Sequence, residues 1–123
     1  LYPEGAPAPD VERVLTADEL LRLQALVRDV PVADDLRDRA IRLVRATRED
    51  EAVEFGASPR ASMAIVLTAK ARAFLEGRAH VSWADVEAMA PPVLRHRTIL
   101  DFRAEREGET ADDVIERLLD EVG

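Results

Sequence analysis

Cysteine is absent from this 123-residue chain, which therefore has no disulfide framework, no thiolate metal site and no thiol nucleophile. Asparagine is absent as well, glutamine occurs once (Gln24), and Lys70 is the one lysine among 17 basic residues. No stretch approaches the roughly 18 unbroken apolar residues of a membrane helix, and no signal peptide opens the chain. Positive charge is in deficit: 17 Lys and Arg stand against 25 Asp and Glu, a net charge of −8. That balance argues against a general nucleic-acid binder, which needs a basic surface. What is present suits one domain with a modest core, since 47% of the residues are hydrophobic. The expected compartment is cytoplasmic, by default. The chain opens at Leu1 and not at Met, which reads as a piece of a longer protein; trimming of a start residue is the alternative.

Pro3, Gly5, Pro7 and Pro9 forbid a helix at the start, so residues 1–14 read as an extended connector and residues 15–123 as one helical domain. Helix one is predicted from about Thr16, in a capping box with Glu19, to Asp29. Leu20, Leu23, Val27 and Val30 mark its buried face. Helix two covers about Asp34 to Arg48, with Leu36, Ala40, Leu43, Val44 and Thr47 as the apolar stripe. A polar loop follows to Ala57. Helix three opens with Ser58 as N-cap and Pro59 in the first helical position, and Gly77 ends it. Ala61, Ala64, Ile65, Thr68, Ala71 and Leu75 line one side of it, and Met63, Leu67, Ala73 and Phe74 widen that surface. Ser82 and Asp85 supply a second capping box for helix four, which runs to about His96 and must bend or break at Pro91–Pro92. Thr98 to Phe102 reads as extended, pairing with the segment near Val81. Thr110 caps a last helix striped by Val114, Ile115, Leu118, Leu119 and Val122. The expected fold is all-α, a five-helix bundle with one minimal pair of short strands.

The chemistry concentrates in Gly56-Ala57-Ser58-Pro59-Arg60-Ala61. Arg60 falls in the first turn of helix three, where free N–H groups and the helix dipole already favour an anion. A guanidinium there adds a planar fork that matches phosphate oxygens, while Gly56 lets the chain turn into the helix. The competing reading pairs Arg60 with Glu51 or Glu54 in the acidic loop. Arg37, Arg39, Arg42, Arg45 and Arg48 read mainly as a solvated face with pairs such as Asp35–Arg39 and Asp38–Arg42, Arg48 being the exception beside the loop. Arg95-His96-Arg97 reads as cations closing a helix C-terminus. No third ligand at suitable spacing joins His80 and His96, so no metal site is expected. Ser58 and Ser82 act as caps, and no nucleophile elbow surrounds any serine. Trp83 reads as a packing residue that staples helix four to the core.

The runs Leu43-Val44-Arg45-Ala46-Thr47-Arg48, Gly56-Ala57-Ser58-Pro59-Arg60-Ala61, Gly77-Arg78 and Val93-Leu94-Arg95-His96-Arg97 occur in this order in MoxR-type AAA+ ATPases. From about Val14 to Val122 the chain resembles that family's C-terminal helical lid domain. The resemblance implies that Arg60 is the second sensor arginine, reaching the γ-phosphate of ATP held by the large domain of the same subunit, with Gly56, Ser58 and Pro59 shaping that nucleotide-facing turn. It also implies a hexameric ring that remodels protein partners, commonly ones with a von Willebrand factor A domain. The chain departs from the family where Arg39-Ala40 replaces a common Tyr-Ile pair, so adenine packing from that helix is left open. It contains no phosphate-binding loop and no strand-borne Asp-Glu. ATP and magnesium would be bound mainly by the large domain, and no ATP hydrolysis is expected of this chain alone. The alternative function is a free-standing helical interaction module that never meets nucleotide.

Overall fold

The computed structural model describes residue 5 and residues 9–123. Half of the connector read for residues 1–14 thus lies outside the described residues; residues 9–16 are exposed and carry no regular structure. Among the described residues the order is α1 (Ala17–Arg28), α2 (Asp34–Glu49), β1 (Val53–Phe55), α3 (Ala61–Leu75), α4 (Trp83–Leu94), a 3₁₀ turn (Arg95–Arg97), β2 (Ile99–Leu100), α5 (Phe102–Arg106) and α6 (Ala111–Val122). The class is mostly helical as expected, with six α-helices where five were predicted. The extra one, α5, lies at the end of the stretch read as extended. Asp101 caps it by accepting a hydrogen bond from the Ala104 N–H at 2.9 Å, a local signal strong enough to start one short helix.

The strand pair exists but joins different segments from those predicted. Val53 faces Leu100 and Phe55 faces Ile99 in an antiparallel pair with a bulge between them. The Val81 N–H instead donates to the Pro31 carbonyl at 3.1 Å, tying the start of α4 to the α1–α2 link. Val53 is buried and Glu54 and Phe55 are exposed, so the strand is too short to show its alternation in a loop rich in acid.

The core is built from α2, α3, α4 and α6. Leu43, Val44, Ile65, Val86, Leu94, Val114 and Ile115 belong to one core cluster, all fully or almost fully buried. The buried line on α3 is Ala61, Ile65, Ala69 and Ala73, a strict four-residue step of mostly small side chains that lets neighbouring helices approach closely. The predicted broader face is corrected here: Met63, Leu67 and Leu75 are exposed. Helix α4 runs on through Pro91 and Pro92 without a break and tightens into the 3₁₀ turn, the Arg95 N–H donating to the Pro91 carbonyl.

Helix α1 departs most from expectation. None of its residues is buried, and of the predicted apolar face only Val30, beyond its end, joins the core. Leu23 and Val27 are half-buried and Leu20 is exposed. They line a groove of about 450 Å³ against Leu67, Phe74 and Leu75 of α3. The C-terminus of α1 is held by Lys70, whose Nζ donates to the Arg28 carbonyl at 2.7 Å.

Thr98 leads into β2. It is 5% exposed, and its Oγ1 is the one buried side-chain polar atom without a hydrogen-bond partner among the described residues. Burying an unpaired hydroxyl is costly, so replacing it by a methyl of the same shape removes a penalty. Thr98→Val is expected to stabilise the chain by about 0.5–1 kcal/mol. Thermal melting checks this, and a lowered midpoint contradicts it.

Candidate functional site

The turn that carries Arg60 is built on the last turn of α2. Thr47 is fully buried, and its hydroxyl donates to the Val44 carbonyl at 2.6 Å while accepting the Ala57 N–H at 3.0 Å. From the next residue, Arg48 Nη1 donates to the Ala57 carbonyl at 3.0 Å. Both polar groups of the Ala57 backbone are therefore held by consecutive residues of one helix. Between them the Gly56 backbone lies against α2: a Cβ on Gly56 would sit 2.6 Å from Thr47 C, Thr47 O and Arg48 N. Glycine is required at Gly56 for this close approach, because its φ is not in the left-handed region and the turn itself needs no special residue.

Ser58 and Pro59 then lead directly into α3. Ser58 does not cap it with its side chain, as the sequence predicted. The turn is closed by backbone alone, the Ala61 N–H donating to the Ser58 carbonyl at 2.9 Å. Arg60 occupies the N-cap position in helical conformation, φ −64° and ψ −23°, so helical winding starts earlier than a side-chain cap allows. One consequence corrects the sequence reading. The Ala61, Ser62, Met63 and Ala64 amides all reach the Ser58, Pro59 or Arg60 carbonyls, so they are not free to bind an anion. Ser62 Oγ adds a further bond, to the Pro59 carbonyl at 2.7 Å. Attraction for an anion rests on the dipole and on the guanidinium of Arg60.

Arg60 itself is exposed, as are Ser58 and Pro59. Among the described residues it forms no ion pair, and the pairing with Glu51 or Glu54 is not present. Of the helix-two arginines, Arg39 pairs with Asp35 at 3.4 Å and its guanidinium lies 5.0 Å from the centre of the half-buried Trp83 ring. Asp38 and Arg42 form no pair. Arg48 is committed to Ala57, a structural use. In the Arg95–Arg97 turn, Arg97 donates to the Val93 carbonyl at the end of α4, and Arg95 grips Asp112 of α6 through two bonds of 2.9 and 3.0 Å. His80 and His96 are both exposed, and no cluster of three or more metal-ligating residues occurs among the described residues.

Two ion-pair hubs carry the scaffold, and both span distances that the sequence does not announce. Asp85, fully buried, receives Arg72 Nη1 at 2.7 Å, Arg78 Nη2, and the Ser82 N–H at 2.8 Å. Burial pushes its carboxyl up, but the Ser82 N–H, both guanidinium groups and the Ser82 hydroxyl outweigh it and hold the group below the usual carboxylate range. Arg117 of α6 bonds Asp50, the C-cap of α2, at 2.8 and 2.9 Å, and those bonds keep Asp50 below its ordinary value as well. The helix that carries the Ala57 clamp is thereby fastened to α6.

A model of the AAA lid domain matches residues 45–118, more than half of the chain, and the chain belongs to that family. Two of its relatives are MoxR proteins. The chain is 37% identical over 131 residues to Chaperone MoxR1 of Mycobacterium tuberculosis (strain ATCC 25618 / H37Rv), a match covering 99% of this chain and 35% of that one. Protein MoxR of Methylorubrum extorquens is 34% identical over 125 residues, covering 96% of this chain and 34% of its own. The chain thus spans about a third of the length of these relatives. A crystal structure of a protein from Cytophaga hutchinsonii ATCC 33406, assigned as an ATPase, superposes with a TM-score of 0.81 at 32% identity, over 86% of this chain and 35% of that one.

Proposed function

We propose that this chain is the lid of a MoxR-type AAA+ ATPase and that Arg60 is its sensor for the γ-phosphate of ATP. The observation that carries the reading is an exposed arginine with no acidic partner among the described residues, on a backbone turn fastened to the core. A permanently charged fork held at a defined place suits a phosphate, while the sequence contains no phosphate-binding loop and the described residues form no metal-ligating cluster. Those tasks fall to a large domain, joined through residues 1–14. When bound there, ATP supplies a terminal phosphate whose loss removes the anion that Arg60 meets. An arginine on a separate rigid body then turns that loss into a change of domain angle. In a cytoplasmic ring, as in the hexameric reading, this motion would drive the remodelling of protein partners such as von Willebrand factor A domain proteins.

In a protein carrying this lid with its nucleotide-binding domain, Arg60→Ala is expected to lower steady-state ATP turnover by about an order of magnitude, with the melting temperature unchanged. Arg60 packs against nothing in the core, so the loss is one of function alone. Turnover at the unsubstituted rate would remove Arg60 from the role.

A further inference from the structure

The Thr47 position lies inside the apolar stripe of α2, where valine would fill the same volume without burying a hydroxyl. A polar group at a fully buried site is tolerated when its bonds are made, and here one of the two bonds reaches out of the helix to the Ala57 N–H. Arg48 repeats the pattern from the surface: a long, exposed side chain is committed to a neutral carbonyl on the same residue, Ala57. Only Ser58 and Pro59 separate Ala57 from Arg60. Pro59 has a restricted φ, and the backbone bond from Ala61 to Ser58 closes the intervening turn. Little rotational freedom is left between α2 and the Cα of Arg60.

We infer that Thr47 and Arg48 are positioning residues for Arg60, clamping Ala57 so that the orientation of α2 sets where the guanidinium points. The inference rests on the sensor reading of Arg60 given above. Its chemical content is a pair of hydrogen bonds, made by neighbouring side chains, to the two peptide units that flank the Ala57 Cα. The Gly56 contact brings Ala57 close enough for both. Helix α2 is in turn fastened to α6 through Asp50 and Arg117. The turn bearing Arg60 therefore moves with the lid and not as an independent loop.

The test uses steady-state ATPase kinetics of a protein carrying this lid and its nucleotide-binding domain. Thr47→Val keeps the volume and removes both bonds. It is expected to lower kcat about fivefold with KM changed less, since small misplacements of a charged group are costly. Thr47→Ser keeps the hydroxyl and should stay within about twofold of the unsubstituted protein, on the same reasoning. Arg48→Ala, at an exposed side chain that puts folding at little risk, should lower kcat about threefold. In an Arg60→Ala background neither substitution should lower kcat further, because a positioning role disappears with the group positioned. A merely structural role would lower it again. Full turnover by Thr47→Val and Arg48→Ala while Arg60→Ala is impaired overturns the clamp alone. Full turnover by Arg60→Ala overturns the sensor reading and the clamp with it.

Discussion

Gly56→Ala is expected to destabilise the chain by about 3 kcal/mol, lowering the melting midpoint by about 10 °C or more. The added methyl would overlap Thr47 C, Thr47 O and Arg48 N at 2.6 Å, and all three are backbone atoms inside a helix. A flexible side chain could swing aside, but a helical backbone cannot do so without breaking its own ladder. Relief requires the β1–α3 link to lift from α2, which would cost the two bonds to Ala57 and expose Val53 and Ala57, both now buried. Gly77→Ala provides the contrast. Gly77 has φ +73° but faces open space, so its substitution costs only the left-handed strain, about 1 kcal/mol. Urea denaturation of the two variants separates crowding from strain. Equal losses would show that the close approach at Gly56 contributes nothing special.

Asp85→Ala is expected to cost about 3 kcal/mol. It strips Arg72 and Arg78 of their shared anion and removes the reciprocal cap on the Ser82 N–H. The two guanidinium groups are each about one-third exposed, and water recovers part of the loss, which keeps the figure at the low end for a broken buried pair. Asp85 is depressed in the folded state relative to its unfolded value of 3.8. Its contribution is therefore fully present above pH 4 to 5 and fades as pH falls through the lower folded-state value. The stability gap between the unsubstituted chain and Asp85→Ala should stay level from neutral pH to about pH 5 and narrow in stronger acid. Denaturant melts at several pH values measure both limbs. A gap under 1 kcal/mol at neutral pH, or one that widens in acid, would contradict the hub.

The helices announced themselves where their ends are locally encoded. Thr16 with Glu19, Ser82 with Asp85 and Thr110 with Asp113 all form reciprocal caps, because each needs residues only three apart. The turn at Ser58 departs from its sequence for the same reason inverted: serine before proline is a good cap signal, yet here backbone bonds close the turn first. Arg60 was locatable from its place in the Gly56–Ala61 run. Its support from Thr47 was not, since a threonine in an aliphatic stripe shows its polarity only when a loop arrives to meet it. Arg117 with Asp50, 67 residues apart, and Arg72 and Arg78 with Asp85 are products of tertiary packing and leave no spacing rule to read. The face of α1 failed differently. Its periodicity is genuine, but among the described residues α3 offers only a groove and not a full layer to cover it.

Trp83 is the sole indole in the chain, and it sits at the first residue of α4 beneath the guanidinium of Arg39 on α2. Its emission spectrum should therefore report the parting of α2 from α4 without any label. A cation held 5.0 Å from the ring in the native state, and water in its place afterwards, would give the two states distinct fluorescence.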